Sequence, residues 1–499
     1  MALCTVSCRK CGQNGESANV CADWKCESMS RKHDGIIGKY DGISRKYDNM
    51  RGKYNNTEDK RKMMEEMPIA RLLWKMSGPS VIGVMAYNLY NVFDTVFISH
   101  GAGTDAVGGV AVSFPLFIFL SAVSSTLGSG AASVISRALG ERDNEKAAKA
   151  AANTFLMFYT TAVLITAFGL IWLDELLLFM GVTDTLLPYA KAYTRIILLG
   201  AVTSTGFSNL IRAEGNSRYA MYIWVIPMGS NIVIDCTLIF ILKMGVIGAA
   251  IGTVAGQGIS MTMSIWFFYL SGKSVHHFRL RHFKPDLRLM WEVVGIGLPS
   301  FLQLSGQSVS MVIVNQFLKK YGGDLAISSY GIAYRIVVFV LFPIQGLAQG
   351  LQPVIGYNKG AGCQRRVKRA LFTASAAAGT YGVFAYISTL LFAEVFMKIF
   401  TSDTAVIETG VHILVIVNAA VLFSGIQSMQ TTYFQAAGKK IRALIMALCG
   451  QLLCFVPCVL IMSRLLGLEG VWFSFPGAAL LSLVISSVLT AIQLKYERN

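Results

Sequence analysis

Twelve apolar stretches, each long enough to cross a bilayer as a helix and joined by short loops, leave this sequence little choice of fold. A helical crossing needs about 20 residues. The stretches fall at 70–98, 108–136, 147–172, 187–212, 219–242 and 248–270, and again at 288–317, 325–355, 369–397, 408–435, 441–463 and 470–493. Only 14% of the residues are charged, against about 25% in a soluble domain. The spacing predicts an all-α polytopic membrane protein. The net charge of +16 does not argue for a nucleic-acid partner, because the bases lie between the apolar runs. There they act as topology signals.

One set of loops and span ends holds 21 Lys and Arg residues, Arg212 counted among them, and the opposite set holds 7. The positive-inside rule then places both termini in the cytoplasm of a cell carrying the chain in its cytoplasmic membrane. A repeat is also legible. The segment 127–140, LGSGAASVISRALG, aligns without a gap to 347–360, LAQGLQPVIGYNKG, at an offset of 220. The same offset pairs Pro79 and Ser80 with Pro299 and Ser300, and an offset of 222 pairs Gly245 and Gly248 with Gly467 and Gly470. Two repeats of six spans share one orientation, since six is even. They are therefore expected to form two six-helix lobes related by a pseudo-two-fold axis along the membrane normal, as in alternating-access carriers. The expected organisation is an N-lobe at 67–272, a linker at 273–287 and a C-lobe at 288–499.

Charge inside the spans is sparse. Asp94 lies late in the first span and Asp235 in the fifth, with Asn231 one turn before Asp235 on the same helical face. Thr253 opens the sixth span. Two carboxylates, an amide and a hydroxyl form an oxygen-rich set able to hold a proton or a sodium ion. Neighbouring carboxylates oppose each other's ionisation, which suits a proton-coupled carrier. By the repeat offset Asp94 corresponds to Val314, and Asp235 to the Phe455–Pro457 region, so coupling is expected in the N-lobe alone. Asn91, Gln257, Gln303, Gln307 and Arg335 are candidates for a wet central cavity. Each serves equally well as an interhelical hydrogen-bonding group, and a structural role is favoured for Arg335. Prolines within spans, Pro79 and Pro299 among them, remove a backbone bond and bend the helix.

Residues 1–66 are polar and mixed in charge, with near-repeats GKYDGISRKYDN and RGKYNN, and read as a disordered cytoplasmic tail. Met63, Met64 and Met67 offer alternative starts just before the first span. The tail cysteines at 4, 8, 11, 21 and 26 lack the paired spacing of a structural zinc site. The body cysteines sit in apolar runs as small hydrophobes. No P-loop, HExxH or nucleophile elbow is present, so no enzyme and no resident cofactor are expected.

YNLYNVFDTVFI, PMGSNIVIDCTLIF, GVIGAAIGT and RIVVFVLFPIQGLAQGLQPVIGYNKGAG resemble the multidrug and toxic compound extrusion (MATE) family, specifically its DinF-type branch, over about residues 67–495. The resemblance implies a cation-coupled antiporter that exports organic, cationic or amphipathic compounds in exchange for H+ or Na+; a monomer in the bilayer is expected, although the residues do not themselves fix the oligomeric state. Its coupling residues map to Asp94, Asn231, Asp235 and Thr253, with Tyr90 lining the site. Pro79 matches the bend of the first helix, and Asn209 matches a cavity asparagine. The NorM-type branch places further acids in spans 7 and 10. Here span 10 has none beyond Glu408 at its very first residue, and Glu292 stands only at the start of span 7. The alternative reading is a lipid-linked oligosaccharide or metabolite exporter of the same superfamily, which would want a strongly cationic cavity.

Overall fold

The computed structural model describes residues 58–102, 104–203, 207–272, 274–275 and 280–497. Twelve helical spans follow the apolar runs. The first six are α1 Ile69–Ala102, α2 Thr104–Gly140, α3 Asn144–Ile171, α4 Leu187–Leu199 with its continuation Phe207–Ala213, α5 Ser217–Ile241 and α6 Gly245–Leu270. The second six are α7 Leu287–Tyr321, α8 Gly323–Gly360, α9 Gln364–Lys398, α10 Thr404–Ala436, α11 Lys440–Leu466 and α12 Leu468–Tyr496. Among the described residues, ten of these are long and apolar enough by themselves to cross a membrane, and α1 and α7 complete the set.

The ends are set locally. Asp143, Asp286 and Asp403 cap α3, α7 and α10 by accepting backbone N–H groups of Lys146, Leu289 and Ala405. Such a cap satisfies donors that the first helical turn leaves free. Gly215 and Gly438 close α4 and α10 in the left-handed region, at φ +83° and +72°, where a Cβ would be strained. The fourth span changes to a tighter turn at Gly200–Thr203, and α10 is interrupted at Ala419–Ala420.

The lobes meet through duplicated glycine contacts. A Cβ on Gly130 of α2 would collide with the Val293 carbonyl of α7, and one on Gly350 of α8 would collide with Ser77 of α1. Gly297 of α7 likewise abuts Thr126 of α2, and Gly346 of α8 abuts Val81 of α1. Gly140 and Gly360 complete the pattern, the first against the Tyr357 carbonyl and the second against that of Arg137. Residues 77 and 297, 126 and 346, 130 and 350, 137 and 357, and 140 and 360 all differ by the repeat offset. Each lobe's second helix thus lies on the other lobe's first, as a two-fold axis along the helices requires. The absence of side chains lets the backbones approach.

A polar knot is buried in the same seam. Gln435 Nε2 donates to Ser129 Oγ, Ser300 Oγ and the Ile296 carbonyl, at 3.2, 2.9 and 3.1 Å. Gln352 Nε2 donates to the Ser129 carbonyl at 2.8 Å, and Ser133 Oγ donates to the Gln435 carbonyl at 2.8 Å. At the end of the molecule that carries the basic loops, Arg137 of α2 pairs with Glu292 of α7 at 3.0 Å.

The tail expected over 1–66 is corrected at its end: residues 59–66 are helical and packed. Met64 is 3% exposed. Arg366 donates to the carbonyls of Met64 and Met67 at 2.9 and 2.8 Å, and Tyr357 donates to Glu65 at 2.9 Å. On the N-lobe side Arg61 donates to Asn144 Oδ1 at 3.1 Å. Charge density concealed this helix, because its only buried apolar anchor is short. Residues 1–57, with the tail cysteines, lie outside the described residues. The linker expected at 273–287 is tied to the N-lobe, where Asn153 Oδ1 accepts the Asp286 N–H at 2.9 Å and Glu214 accepts the Val275 N–H at 2.9 Å.

Candidate functional site

Asp94, Asn231, Asp235 and Thr253 come together inside the N-lobe. All four are buried, at 7%, 2%, 0% and 2% exposure. Helices α1, α5 and α6 supply them, and Gly252 makes the approach possible: a Cβ there would occupy the place of Asp235 Oδ1. The fifth span changes from α- to π-helical winding directly after Asp235, at Cys236–Ile241, a distortion often found at functional positions.

Tyr90 Oη donates to Thr253 Oγ1 at 3.2 Å, as expected of a lining residue. Tyr193 of α4, 7% exposed, faces Asp94, Asp235 and Thr253. Sequence reasoning missed it, since AYTRI carries no signal that separates a site tyrosine from a packing one. An aromatic wall continues on α1 and α5, where Tyr87 meets Trp224 edge-on at 4.5 Å and Tyr90 at 6.1 Å.

The polar atoms of the cluster are under-satisfied. Asp94 Oδ1, both Asp235 carboxylate oxygens and Asn231 Nδ2 are buried with no hydrogen-bond partner among the described residues. No ion pair reaches either carboxylate among those residues. An unpaired charge in such a place is costly, so the arrangement calls for a small cation to share the oxygens. Hydroxyl, amide and carboxylate oxygens suit a proton or Na+ alike.

The other candidates are dispersed. Gln257 stands one turn below Thr253 and accepts from Thr203 Oγ1 at 3.4 Å. Asn209 is partly exposed on the Phe207–Ala213 continuation of α4, where its Oδ1 accepts from Arg212 at 2.6 Å. Arg212 itself, read from sequence with the loop bases, is 2% exposed. In the C-lobe Gln307 Nε2 donates to Tyr334 Oη at 2.8 Å, Gln303 is exposed, and Arg335 is exposed with no ion pair among the described residues. None of these three bonds to the acidic cluster. The Asn91 side chain lies outside the described residues. α1 runs unbroken through Pro79 over 34 residues.

Twelve helical spans in two related lobes, with buried carboxylates in one of them, define a membrane transporter. The MatE family profile matches residues 79–237 and 299–460, one segment in each lobe, and the chain belongs to that family. The multidrug export protein MepA of Staphylococcus aureus (strain N315) is 28% identical over 413 residues, which are 82% of this chain and 91% of MepA. A multidrug resistance MATE family transporter of the MOP superfamily, solved in an outward-facing conformation, superposes with a TM-score of 0.84 at 24% identity, over 88% of this chain and 98% of that one. It shows the shared fold. A MATE structure in complex with MaD3S gives a TM-score of 0.83 at 25% identity over the same shares.

Proposed function

We propose that the chain is a multidrug efflux antiporter that exchanges organic cations or amphipathic compounds for H+ or Na+. The observation that carries this reading is the pair Asp94 and Asp235, buried with three of their own carboxylate oxygens and the neighbouring Asn231 Nδ2 unsatisfied and no counter-charge among the described residues. A proton or Na+ supplies that counter-charge. The only acid on α10 is Glu408, exposed in its first turns and far from the helix middle, which favours the DinF-type arrangement with coupling in the N-lobe alone. The basic end is the cytoplasmic one by the positive-inside rule. The Arg137–Glu292 pair and the Gln435 knot tie the lobes together toward that end, which fits the outward-open stage of such a cycle. In the cycle, an ion entering from outside neutralises the carboxylates, α1 bends at Pro79, and the N-lobe cavity narrows and releases substrate. The lobes then rock and the ion leaves inward.

The test is ethidium efflux from cells lacking their own pumps, energised by an imposed pH or sodium gradient. Wild type should export the dye, whereas Asp94→Asn and Asp235→Asn, at matched levels of folded protein, should not. The effective gradient names the ion. Undiminished coupled efflux by either variant would remove its carboxylate from the mechanism, and no dye movement by wild type would turn attention to lipid-linked or metabolite cargo.

A further inference from the structure

The short helix at 59–66 is fastened to both lobes. A helix leaves its last carbonyls without internal partners, and here the C-lobe takes them. Arg366 Nη2, in the first turn of α9, donates to the carbonyls of Met64 and Met67 at 2.9 and 2.8 Å. Nε of the same guanidinium donates to Asn358 Oδ1 at 2.9 Å. Asn358 is fully buried near the end of α8, and its own amide donates to the Val354 carbonyl at 2.9 Å. Asn358 thus orients the planar fork that caps the helix, a geometry that a lysine lacks. Tyr357 Oη adds a bond to Glu65 at 2.9 Å. On the N-lobe side Arg61 donates to Asn144 Oδ1 at 3.1 Å, and Arg142 lies 3.9 Å from Glu65. The ends of Met63 and Met64 sit against Gly215, 3.5 and 3.3 Å from where its Cβ would stand.

The two grips differ in strength. The C-lobe contacts are partly buried and include charge-assisted bonds to main-chain carbonyls. The polar N-lobe contacts, Arg61–Asn144 and Arg142–Glu65, lie at the surface, where such pairs are worth little. Met67 and Pro68 form a non-helical joint between this helix and α1, so the helix is free to stay on the C-lobe when the N-lobe turns. We infer that residues 59–66 form an inter-lobe clasp. They tie the α8–α9 turn to the α2–α3 and α4–α5 turns, hold the basic ends of the lobes together, and let go on the N-lobe side when those ends part. The inference rests on the rocking cycle proposed above and adds to it a segment that sets the balance between the two open states, apart from the coupling site.

The measurement is the distance between two spin labels on the purified full chain, read by double electron–electron resonance. Keto-bearing noncanonical residues at positions 218 and 369 carry the labels, so the cysteines stay untouched. Arg218 and Arg369 are both exposed near the basic end, and neither belongs to the clasp. The quantity read is the ratio of parted to closed distances. Arg366→Lys keeps the charge and loses the fork, and should raise the ratio about tenfold, the scale of one lost charge-assisted bond. Arg61→Ala removes a surface contact and should raise it about threefold, so the clasp is tested even where Arg366→Lys fails to fold. Asn144→Asp gives Arg61 a carboxylate, and added to Arg366→Lys it should bring the ratio back by about threefold. A mere packing fault would not be mended by a surface charge. A ratio within about twofold of wild type in both Arg366→Lys and Arg61→Ala overturns the inference, as does parting that Asn144→Asp leaves unreduced. Parted ends in these variants, with no dye export by wild type under either gradient, remove the efflux reading and leave the clasp standing.

Discussion

The two lobes share a backbone plan and differ at the one place where the chemistry sits. In the N-lobe, Asp94, Asp235 and Thr253 meet around Gly252, and the polar atoms outnumber their partners. In the C-lobe the offsets of 220 and 222 put Val314, Phe455 and Phe475 in the corresponding places. Val314 is 1% exposed in a core with Val459 and Trp472, and the rings of Phe455 and Phe475 lie 4.9 Å apart. Duplication supplied two equivalent sites, and one has been filled with hydrocarbon. A second contrast lies in the first helix of each lobe. α1 has Gly78 before Pro79, and a Cβ at Gly78 would meet no atom within 4 Å. α7 has Leu298 before a buried Pro299. A glycine beside a proline weakens the helix further, so the lobe that carries the acids has the more pliable first helix.

Forcing the lobes to resemble each other should be most damaging at Val314. Val314→Asp places a carboxylate in a packed apolar core with no partner and should cost about 4 kcal/mol or more, read as loss of folded protein in thermal unfolding. A mild effect there would mean that the C-lobe core admits water. Gly252→Ala presses a methyl into Asp235 and should cost about 1–3 kcal/mol by overpacking. Coupled dye efflux should fall at least tenfold through the displaced carboxylate. Its C-lobe counterpart Ser474→Ala removes only a bond to the Val471 carbonyl and should cost about 1 kcal/mol. Equal losses of transport from the two would erase the distinction between the lobes.

Gly78→Leu, which copies the C-lobe sequence, should raise helix stability by up to about 1 kcal/mol while slowing efflux several-fold. Faster or unchanged turnover would show that α1 need not bend there.

The smallest effect concerns acid. Glu497, just past α12, accepts from Lys359 at 2.7 Å and from Gln493 at 2.6 Å. Burial works to raise its affinity for a proton, but these bonds and the charges of Lys359 and Lys439 prevail and hold the carboxyl below its ordinary value. A carboxyl lowered on folding stabilises the protein in full above its unfolded value, about 4.3, and loses that contribution as pH falls through the folded value. Wild type should therefore lose its thermal-stability advantage over Glu497→Gln only below about pH 4. A constant difference across that range would remove Glu497 from the acid response.

The sequence made the lobes legible because apolar length and a gapless repeat are one-dimensional signals. Asp94, Asn231, Asp235 and Thr253 were legible for a related reason: a charge within a long apolar run is costly and seldom persists without a use. What escaped notice depends on neighbours from distant segments. Tyr193 is one tyrosine among 19. Gly252 matters only because Asp235 occupies its missing side chain. Arg212 looked like a loop base until α4 was seen to bury it, and residues 59–66 looked like more of a charged tail.

Gly140 and Gly360 carry a mechanical consequence. Each touches the main chain of the opposite lobe where α2 and α8 cross. In the rocking cycle proposed above this contact would be the hinge: made of bare backbone, it has no rotamers to rearrange as it turns, so its friction would be low and its position fixed by the covalent chain. Lengthening either residue by one methyl would jam the joint and also relocate the fulcrum. Helices of 37 and 38 residues extend from that point, each about 55 Å long. Slight rotation near one membrane face therefore becomes a wide sweep at the other.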